Sequence, residues 1–305
     1  MKEVMDIREI GLKIRELKRF RNTAVFAHHY APAEIHEFAD VLGDSWIFVE
    51  AVIAGTDAER IVVIAPFFFA EIAACLLPET EIVVPVVSQC PVATHPDLGF
   101  ERISDFKMAN PGVPLLCYAT SPLLTKLLAD RLCIPGEVVS TLNSMKDERV
   151  LFIGEQNCAA DAKRQIGSKM INYDKNPTCN VYNSADVTDV AAMRERYPDS
   201  CLMVHPESQM EVIELADHVM GTGEMHKLIK ENPQIGTFIL GTELGFLQRM
   251  QNEFPDRTIV HLSHLLMCNA FKVFRLHTLL NALENGGTPV QVDRVVADRV
   301  AEMIR

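Results

Sequence analysis

The sequence predicts an α/β protein built from three homologous three-layer α/β/α domains, each with a parallel sheet. Three observations support this fold class. Cys90, Cys179 and Cys268 are separated by 89 residues and then by 89 again. A polar motif recurs at a similar interval, which indicates an internal repeat. Short apolar runs also alternate with helix-like segments, as in parallel sheets covered by helices on both faces.

The recurring motif begins where a strand is predicted to end, and it finishes at an Ala-Asp pair. A leading His or Tyr lies 12 residues before the Asp in each copy, and the cysteine follows that leading residue by 62, 61 and 63 positions. The leading residues and their aspartates are His28 and Asp40, Tyr118 and Asp130, and His205 and Asp217. Three copies related by a pseudo-threefold axis would bring equivalent positions together near that axis.

Each copy predicts a similar order of elements, read from apolar runs and helical periodicity. The first copy predicts strands over 23–29, 61–66 and 81–87, and helices over 33–41, 44–54 and 70–77. The second predicts strands over 113–119, 149–154 and 169–173, and helices over 121–130 and 157–166. The third predicts strands over 200–205, 236–241 and 258–262, and helices over 208–217, from 224, and over 242–252.

The two ends of the chain are predicted to be helical. An amphipathic helix is expected over residues 1–20, and two helices are expected over 277–286 and 292–305. The predicted domains are therefore 1–95, with the N-terminal helix, 96–184, and 185–305, with the C-terminal helices.

Composition and charge exclude several classes of protein. A net charge of −12 would repel the phosphates of nucleic acid. No apolar run reaches the length of about 18–20 residues that a membrane span needs. The N-terminus is charged and lacks the apolar centre of a signal peptide. We therefore expect a cytoplasmic protein that binds neither nucleic acid nor membranes.

The eight cysteines of a cytosolic chain are not expected to form a disulfide framework. None forms a CxxC pair, which disfavours a zinc ribbon. Cys75, Cys117 and Cys201 fit apolar patterns and are expected in the core, whereas Cys133 and Cys158 lie near element ends and have no assigned role. The three repeated cysteines each follow a strand-like run and are expected in loops.

Three thiolates without a CxxC pair leave two metal centres open. They could bind zinc with a fourth ligand, or a 4Fe–4S cluster in which one iron has no protein ligand. Such an iron could act as a Lewis acid on a hydroxyl or carboxylate oxygen.

Ligands of α/β domains bind beyond the carboxyl ends of the strands. This rule predicts that the residues after each first strand face a cleft: His28 and Tyr30, Tyr118 and Thr120, and His205 and Glu207. Helices are predicted to start at Gly43-Asp44-Ser45 and at Gly221-Thr222-Gly223. Both starts are expected to offer unpaired N–H groups and a hydroxyl to an anion.

Several segments resemble the quinolinate synthase family, in order and nearly without gaps from about residue 10 to the end. They are AHHYAP with GDS (27–45), FFFAEIAACLLP (67–78), EQN (155–157), HPE (205–207), GTGEM (221–225), GTELGFLQRM (241–250), and Cys268 followed by Lys272. Together these segments are specific, although each alone is weak. The cluster-ligand cysteines of the family fall on Cys90, Cys179 and Cys268.

The resemblance implies a three-domain enzyme with an oxygen-sensitive 4Fe–4S cluster. It implies condensation of iminoaspartate with dihydroxyacetone phosphate, with loss of phosphate and two waters, to form the pyridine ring of NAD. L-aspartate oxidase or aspartate dehydrogenase would supply the iminoaspartate. The family's active-site positions match here by identity at His28, Tyr30, Ser45, Tyr118, His205, Glu207 and Thr222. The histidines and Glu207 suit proton transfer, and the tyrosines suit donation to developing oxyanions.

The chain departs from the family in the part of the pocket that grips substrate. Thr120, Pro135 and Gly221 stand where the family has Asn, Ser and Ser, and Thr178 and Tyr182 replace histidines that often flank the second cysteine. Two alternatives therefore remain beside quinolinate synthase itself. One is a paralogue that uses the same cluster on a different acid, and the other is a non-catalytic iron–sulfur sensor.

Overall fold

The computed structural model describes residues 6–304. The first five residues of the predicted N-terminal helix therefore lie outside the described residues. The helices are α1 Ile7–Phe20, α2 Ala33–His36, α3 Ser45–Ala54, α4 Phe67–Leu76, α5 Phe100–Met108, α6 Leu123–Lys126, α7 Val138–Ser144, α8 Gln156–Ile166, α9 Val187–Arg196, α10 Met210–Ile213, α11 Thr222–Glu231, α12 Leu244–Glu253, α13 Asn269–Lys272, α14 Leu276–Asn285 and α15 Arg294–Ile304.

The strands are short and mostly buried. They are β1 Thr23–His28, β2 Val41–Gly43, β3 Arg60–Ile64, β4 Glu81–Val84, β5 Leu115–Tyr118, β6 Arg131–Cys133, β7 Val150–Ile153, β8 Met170–Asn172, β9 Cys201–Val204, β10 His218–Val219, β11 Thr237–Gly241, β12 Thr258–His261 and β13 Thr288–Pro289. None of the helices within residues 6–304 is long and apolar enough to cross a membrane.

Three sheets confirm the predicted α/β class. Their strand orders are β13-β4-β3-β1-β2, β6-β5-β7-β8 and β10-β9-β11-β12. Every pairing is parallel except that of β13 with β4. The central strands β1, β5 and β9 are buried throughout, as expected for strands covered on both faces.

The chain divides into two compact units. One contains Met1–Cys90 and Asn269–Arg305, and thus the first sheet; the other contains Pro91–Cys268, and thus the second and third sheets. The predicted domain boundaries and the pseudo-threefold axis stay predictions.

Residues 269–305, which were predicted to belong to the third domain, are part of the first unit. β13 adds an antiparallel strand to the outer edge of β4, and α15 packs against α4 while α14 packs against α1. Helical periodicity identifies an apolar face, but it does not say which sheet or helix will cover that face.

The Ala-Asp pair of each repeat has the same structural role in all three copies. The carboxylate accepts a hydrogen bond from the backbone N–H of one of the first three residues of the central strand, at 2.7–2.8 Å. It also forms an ion pair with a basic side chain. The basic partners, at 2.8–2.9 Å, are Lys18 for Asp40, Lys107 for Asp130 and Arg194 for Asp217. The shared contacts support the repeat that the spacing predicts.

The predicted helices that end at these aspartates are wrong in length. Helices were expected over 33–41, 121–130 and 208–217, but α2, α6 and α10 are single turns. In each copy the chain then turns at the Asp and forms a short strand beside the central one, β2, β6 or β10. The hydrogen bonds to the Asp carboxylate stabilise this turn. The helices were predicted too long because helix propensity does not take such tertiary contacts into account.

Candidate active site

The turn after β5 contains buried polar atoms that lack a hydrogen-bond partner. Among the described residues, three buried side-chain oxygens have no hydrogen-bond partner, and all lie here: Tyr118 Oη, Thr120 Oγ1 and Ser121 Oγ. An unpaired buried hydroxyl is costly unless something fills its bonding capacity. Tyr118 and Thr120, which were predicted to face a cleft, are thus two of these three residues.

A buried lysine lies behind the same turn. Lys126 is fully buried, and its Nζ donates a hydrogen bond to the carbonyl oxygen of Ser121 at 2.6 Å. A cation here would provide part of the local positive potential that an anionic ligand needs in an acidic protein. Sequence reasoning missed it because an isolated lysine in a helical pattern is normally exposed.

His205 follows β9 and lies in an apolar, aromatic environment. Its ring stacks on Tyr182, with ring centroids 4.1 Å apart and planes 6° from parallel. Burial lowers the pKa of His205 to about 3, so the ring is uncharged at neutral pH. Nδ1 accepts the N–H of Glu207 at 3.3 Å, which assigns the ring proton to Nε2. His205 can therefore donate a hydrogen bond from Nε2 without carrying charge, and Tyr182 fixes its orientation.

We expect His205 to make folding stability depend on pH in mildly acidic solution. Its ordinary pKa is 6.5 and its pKa in the folded chain is about 3. Between these values the unfolded chain binds a proton that the folded chain does not. Stability is therefore fully present above about pH 6.5 and falls as the pH drops, by at most about 1.4 kcal/mol per pH unit.

Urea unfolding of wild type and His205→Asn at several pH values measures this contribution. The difference in unfolding free energy should change between pH 6.5 and pH 4.5, whereas His264→Asn, at an exposed histidine, should track wild type. Parallel curves for wild type and His205→Asn would contradict the expectation.

Glu207 lies next to His205 and is also buried. Burial, and then the nearby Glu155 carboxyl, raise the pKa of Glu207 well above its ordinary value of 4.5. The Tyr118 hydroxyl and the Cys179 thiol lie near its side chain, and its backbone oxygen accepts from Asn157 Nδ2 at 3.1 Å. A carboxyl that can hold a proton thus lies near the Tyr118 hydroxyl.

His28 and Tyr30, which were predicted to face a cleft after the first strand, lie in the first unit. His28 is buried, and its Nδ1 accepts the Tyr30 N–H at 3.2 Å, as His205 accepts that of Glu207. The His28 ring packs on Tyr30 and Phe271 with centroids 4.4 and 5.0 Å apart. Lys272 Nζ donates to the Tyr30 carbonyl at 2.9 Å. These aromatic contacts fix both side chains at the end of β1.

The two expected anion cradles differ from the prediction, because each helix start already binds an acidic side chain. Ser45 and Thr222 are the first residues of α3 and α11, as expected. However, Asp44 Oδ1 accepts the N–H of Ile47 at 2.9 Å, and Glu224 Oε2 accepts that of Gly221 at 3.1 Å. Asp44 precedes α3 and acts as an N-cap residue, whereas Glu224 is the third residue of α11 and folds back onto the residue before the helix. The Gly221 N–H is therefore not free for a substrate.

A small cleft of about 140 Å³, partly open to solvent, lies beside these residues in the second unit. Pro135, Cys158, Pro206 and Glu224 line it. The expected catalytic residues are not among its lining residues, but Pro206 joins His205 to Glu207, and the Cys158 thiol lies near the Tyr118 hydroxyl. Burial raises the pKa of Cys158 well above its ordinary value, so this thiol stays protonated.

The three repeated cysteines differ from the other five in exposure. Cys90, Cys179 and Cys268 are half-buried, whereas the remaining cysteines are buried. The three lie in loops beyond β4, β8 and β12, as expected. Cys179 and Cys268 pack against the same apolar cluster in the second unit. Within residues 6–304, no group of three or more His, Cys, Asp or Glu side chains is already arranged to hold a metal ion.

The chain is similar to known proteins over nearly its whole length. The family model described as Quinolinate synthetase A protein matches residues 12–305. A quinolinate synthase of Dehalococcoides mccartyi is 34% identical over 284 residues, 93% of this chain and 92% of that protein. Quinolinate synthases of Methanosarcina barkeri and Methanoregula boonei are 30% and 31% identical over 297 and 296 residues, covering 97% and 96% of this chain and 96% and 95% of theirs.

Proposed function

The chain belongs to the quinolinate synthase family, an enzyme family whose membership supports a function in NAD biosynthesis, and we propose that it condenses iminoaspartate with dihydroxyacetone phosphate to form quinolinate. The observation that carries the proposal is the group of unpaired buried hydroxyls of Tyr118, Thr120 and Ser121. They lie in the same unit as His205 and Glu207. A small polar ligand would satisfy them.

The proposed roles of the residues follow from their protonation and contacts. Glu207 donates or accepts protons during isomerisation and dehydration, with the Tyr118 hydroxyl beside it. His205 donates from Nε2 to a substrate oxygen, and Tyr182 holds its ring in place. His28 and Tyr30 serve the same reaction from the first unit, and Ser45 and Thr222 bind substrate at the starts of α3 and α11.

The proposed cofactor is a 4Fe–4S cluster bound by Cys90, Cys179 and Cys268. The donor set fits, because these are the three half-buried thiols of the chain's eight and each lies in a loop after a strand. A cluster with three protein ligands has one iron open to a substrate oxygen and would supply Lewis-acid chemistry. Its substrates would be small anions, and a source of iminoaspartate such as L-aspartate oxidase or aspartate dehydrogenase would be a functional partner.

An anaerobic turnover assay tests the proposal. Reconstituted protein is incubated with iminoaspartate and dihydroxyacetone phosphate, and products are followed by mass. We expect quinolinate that requires both substrates and is no longer formed after the protein has been exposed to air. Absence of quinolinate from protein with a full cluster would contradict the proposed function.

One set of observations favours a second candidate, a paralogue that acts on a different acid. Thr120 replaces an amide and its Oγ1 makes no hydrogen bond within the described chain. Pro135 has neither a hydroxyl nor an N–H. Gly221 lacks a hydroxyl, and its N–H is bound by Glu224. Pro135 and Gly221 thus lack a hydroxyl donor, and Thr120 offers one O–H donor where an asparagine amide would offer two N–H donors.

We expect the three changes to weaken quinolinate binding relative to other family members. A charge-assisted hydrogen bond contributes about 1.5–3 kcal/mol, so losing two or three weakens binding on the order of 10²–10⁶-fold. The triple variant Thr120→Asn, Pro135→Ser, Gly221→Ser should tighten quinolinate binding, measured by calorimetry. A Cβ at Gly221 would meet Gly136 Cα at 3.4 Å, an ordinary contact, so serine fits.

The unmodified chain decides between the two candidates. If it already forms quinolinate at rates normal for the family and the triple variant binds no tighter, the paralogue reading is wrong. The pocket would then compensate for the lost donors.

A further inference from the structure

Two fully buried glutamates precede helices in the second unit. Glu155 is the N-cap residue of α8 and Glu243 is that of α12, and neither side chain is exposed. Neither glutamate has a role in the reaction described above. A buried carboxyl is costly to maintain without hydrogen-bond partners, so the groups that it binds indicate its purpose.

Each carboxyl joins a helix start to a cysteine loop. Glu155 Oε1 accepts the backbone N–H of Cys179 at 3.0 Å, and its Oε2 accepts that of Cys158 at 2.8 Å. Glu243 Oε1 accepts the backbone N–H of Cys268 at 3.0 Å, and its Oε2 accepts that of Gly245 at 2.5 Å. The cysteines lie 24 and 25 residues further along the chain. Equivalent contacts have thus been kept in two copies of the repeat.

A second bond to these loops is present in all three copies. The N–H of the first helical residue donates to the carbonyl two residues before the cysteine, at 2.7–3.0 Å. The pairs are Phe67 with Ser88, Gln156 with Pro177, and Leu244 with Leu266. In the first copy the N-cap position holds Pro66, which makes no side-chain cap. The backbone hydrogen bond therefore anchors all three loops two residues before the cysteine. In two of the loops the glutamate also accepts a hydrogen bond from the cysteine N–H itself.

We infer that Glu155 and Glu243 are positioning residues that fix Cys179 and Cys268, respectively, in the conformation that ligates the cluster. The inference rests on the proposed function for the role of the cysteines. A bond to the amide of a cysteine restricts the backbone from which its thiol projects. Metal–ligand distances tolerate only about ±0.2 Å, so a loop held at the ligand itself binds better than one held two residues away.

A crossed experiment on metal-free protein tests the pairing. Glu→Gln keeps one acceptor oxygen and replaces the other with a donor, so the amide cannot accept both N–H groups. Alkylation of each cysteine by iodoacetamide is followed by mass spectrometry. We expect Glu155→Gln to raise the rate at Cys179 by roughly twofold to tenfold, which corresponds to the loss of one hydrogen bond. Glu243→Gln should do the same at Cys268 alone.

The matched control is Asp186→Asn. Asp186 is the N-cap of α9 and accepts from Thr188 and Asp189, but it contacts no cysteine through these bonds. It should leave all alkylation rates unchanged, and Cys90 should be unaffected in every variant. The inference would be overturned if neither variant changed the alkylation rate of Cys179 or Cys268 relative to wild type. It would also be overturned if the rates rose equally at all cysteines.

Cluster content provides a second readout. After anaerobic reconstitution, Glu155→Gln and Glu243→Gln should hold less iron and sulfide than Asp186→Asn, with an altered electron paramagnetic resonance spectrum of the reduced cluster. Full iron with a wild-type spectrum in both variants would overturn the inference. If wild type itself binds no iron, the proposed function fails, while the alkylation pattern still decides whether the glutamates position the cysteines.

Discussion

Replacing Cys179 by alanine should remove most of the iron from the protein. Anaerobically purified wild type is expected to be brown and to carry about four irons and four sulfides per chain, both lost in air. Cys90→Ala and Cys268→Ala should have the same effect, because each removes one of three protein ligands. Iron and sulfide assays on protein purified without air measure the result.

The buried cysteines provide matched controls. Cys75 and Cys201 are 3% and 9% exposed and pack in the core, so alanine there should leave the iron in place. A full iron content in Cys179→Ala would refute the ligand assignment. Equal iron loss in Cys75→Ala would show that the loss reflects disturbed folding.

Glu207→Gln should lower turnover by at least ~10²-fold while keeping the fold and the cluster. The substitution preserves the shape of the side chain but removes the ionisable group, and ~10² is the lower range for general acid–base catalysis. The backbone oxygen of Glu207 keeps its bond from Asn157, so the turn after β9 should persist. Anaerobic rates, iron content and circular dichroism of the same sample test this.

Glu211→Gln is the matched control, since Glu211 is an exposed carboxylate on the neighbouring helix α10. It should turn over like wild type. Unchanged turnover in Glu207→Gln, with unchanged iron, would exclude Glu207 as an acid or base. Loss of iron in that variant would indicate instead that its interaction with Cys179 supports the cluster.

The repeat made most of the fold predictable. Buried strands such as β1, β5 and β9 are continuous apolar runs, and the recurring motif marked the end of each. The short strands β2, β6 and β10 were not predicted, because they depend on the Asp carboxylates that turn the chain. The sequence also did not predict which helices α14 and α15 pack against, because only tertiary packing determines this.

The positions of the candidate site residues along the strands were predictable, but the contacts that hold them were not. Tyr118, His205 and Glu207 lie at strand ends as expected. Glutamate is not a preferred N-cap residue, so local pattern did not separate Glu155 and Glu243 from ordinary surface acids. Their equivalent positions before Cys179 and Cys268 were the available signal. The stacking of Tyr182 on His205 joins residues from different elements and has no local pattern.

The origin of the product's carbon atoms tests the central claim most directly. Reconstituted protein is given iminoaspartate labelled with ¹³C in one reaction and dihydroxyacetone phosphate labelled with ¹³C in another, and the mass of any quinolinate is measured. The proposed condensation requires that each label appear in the product. A product that carries carbon from only one of the two substrates, or no quinolinate from protein with a full cluster, would contradict the account.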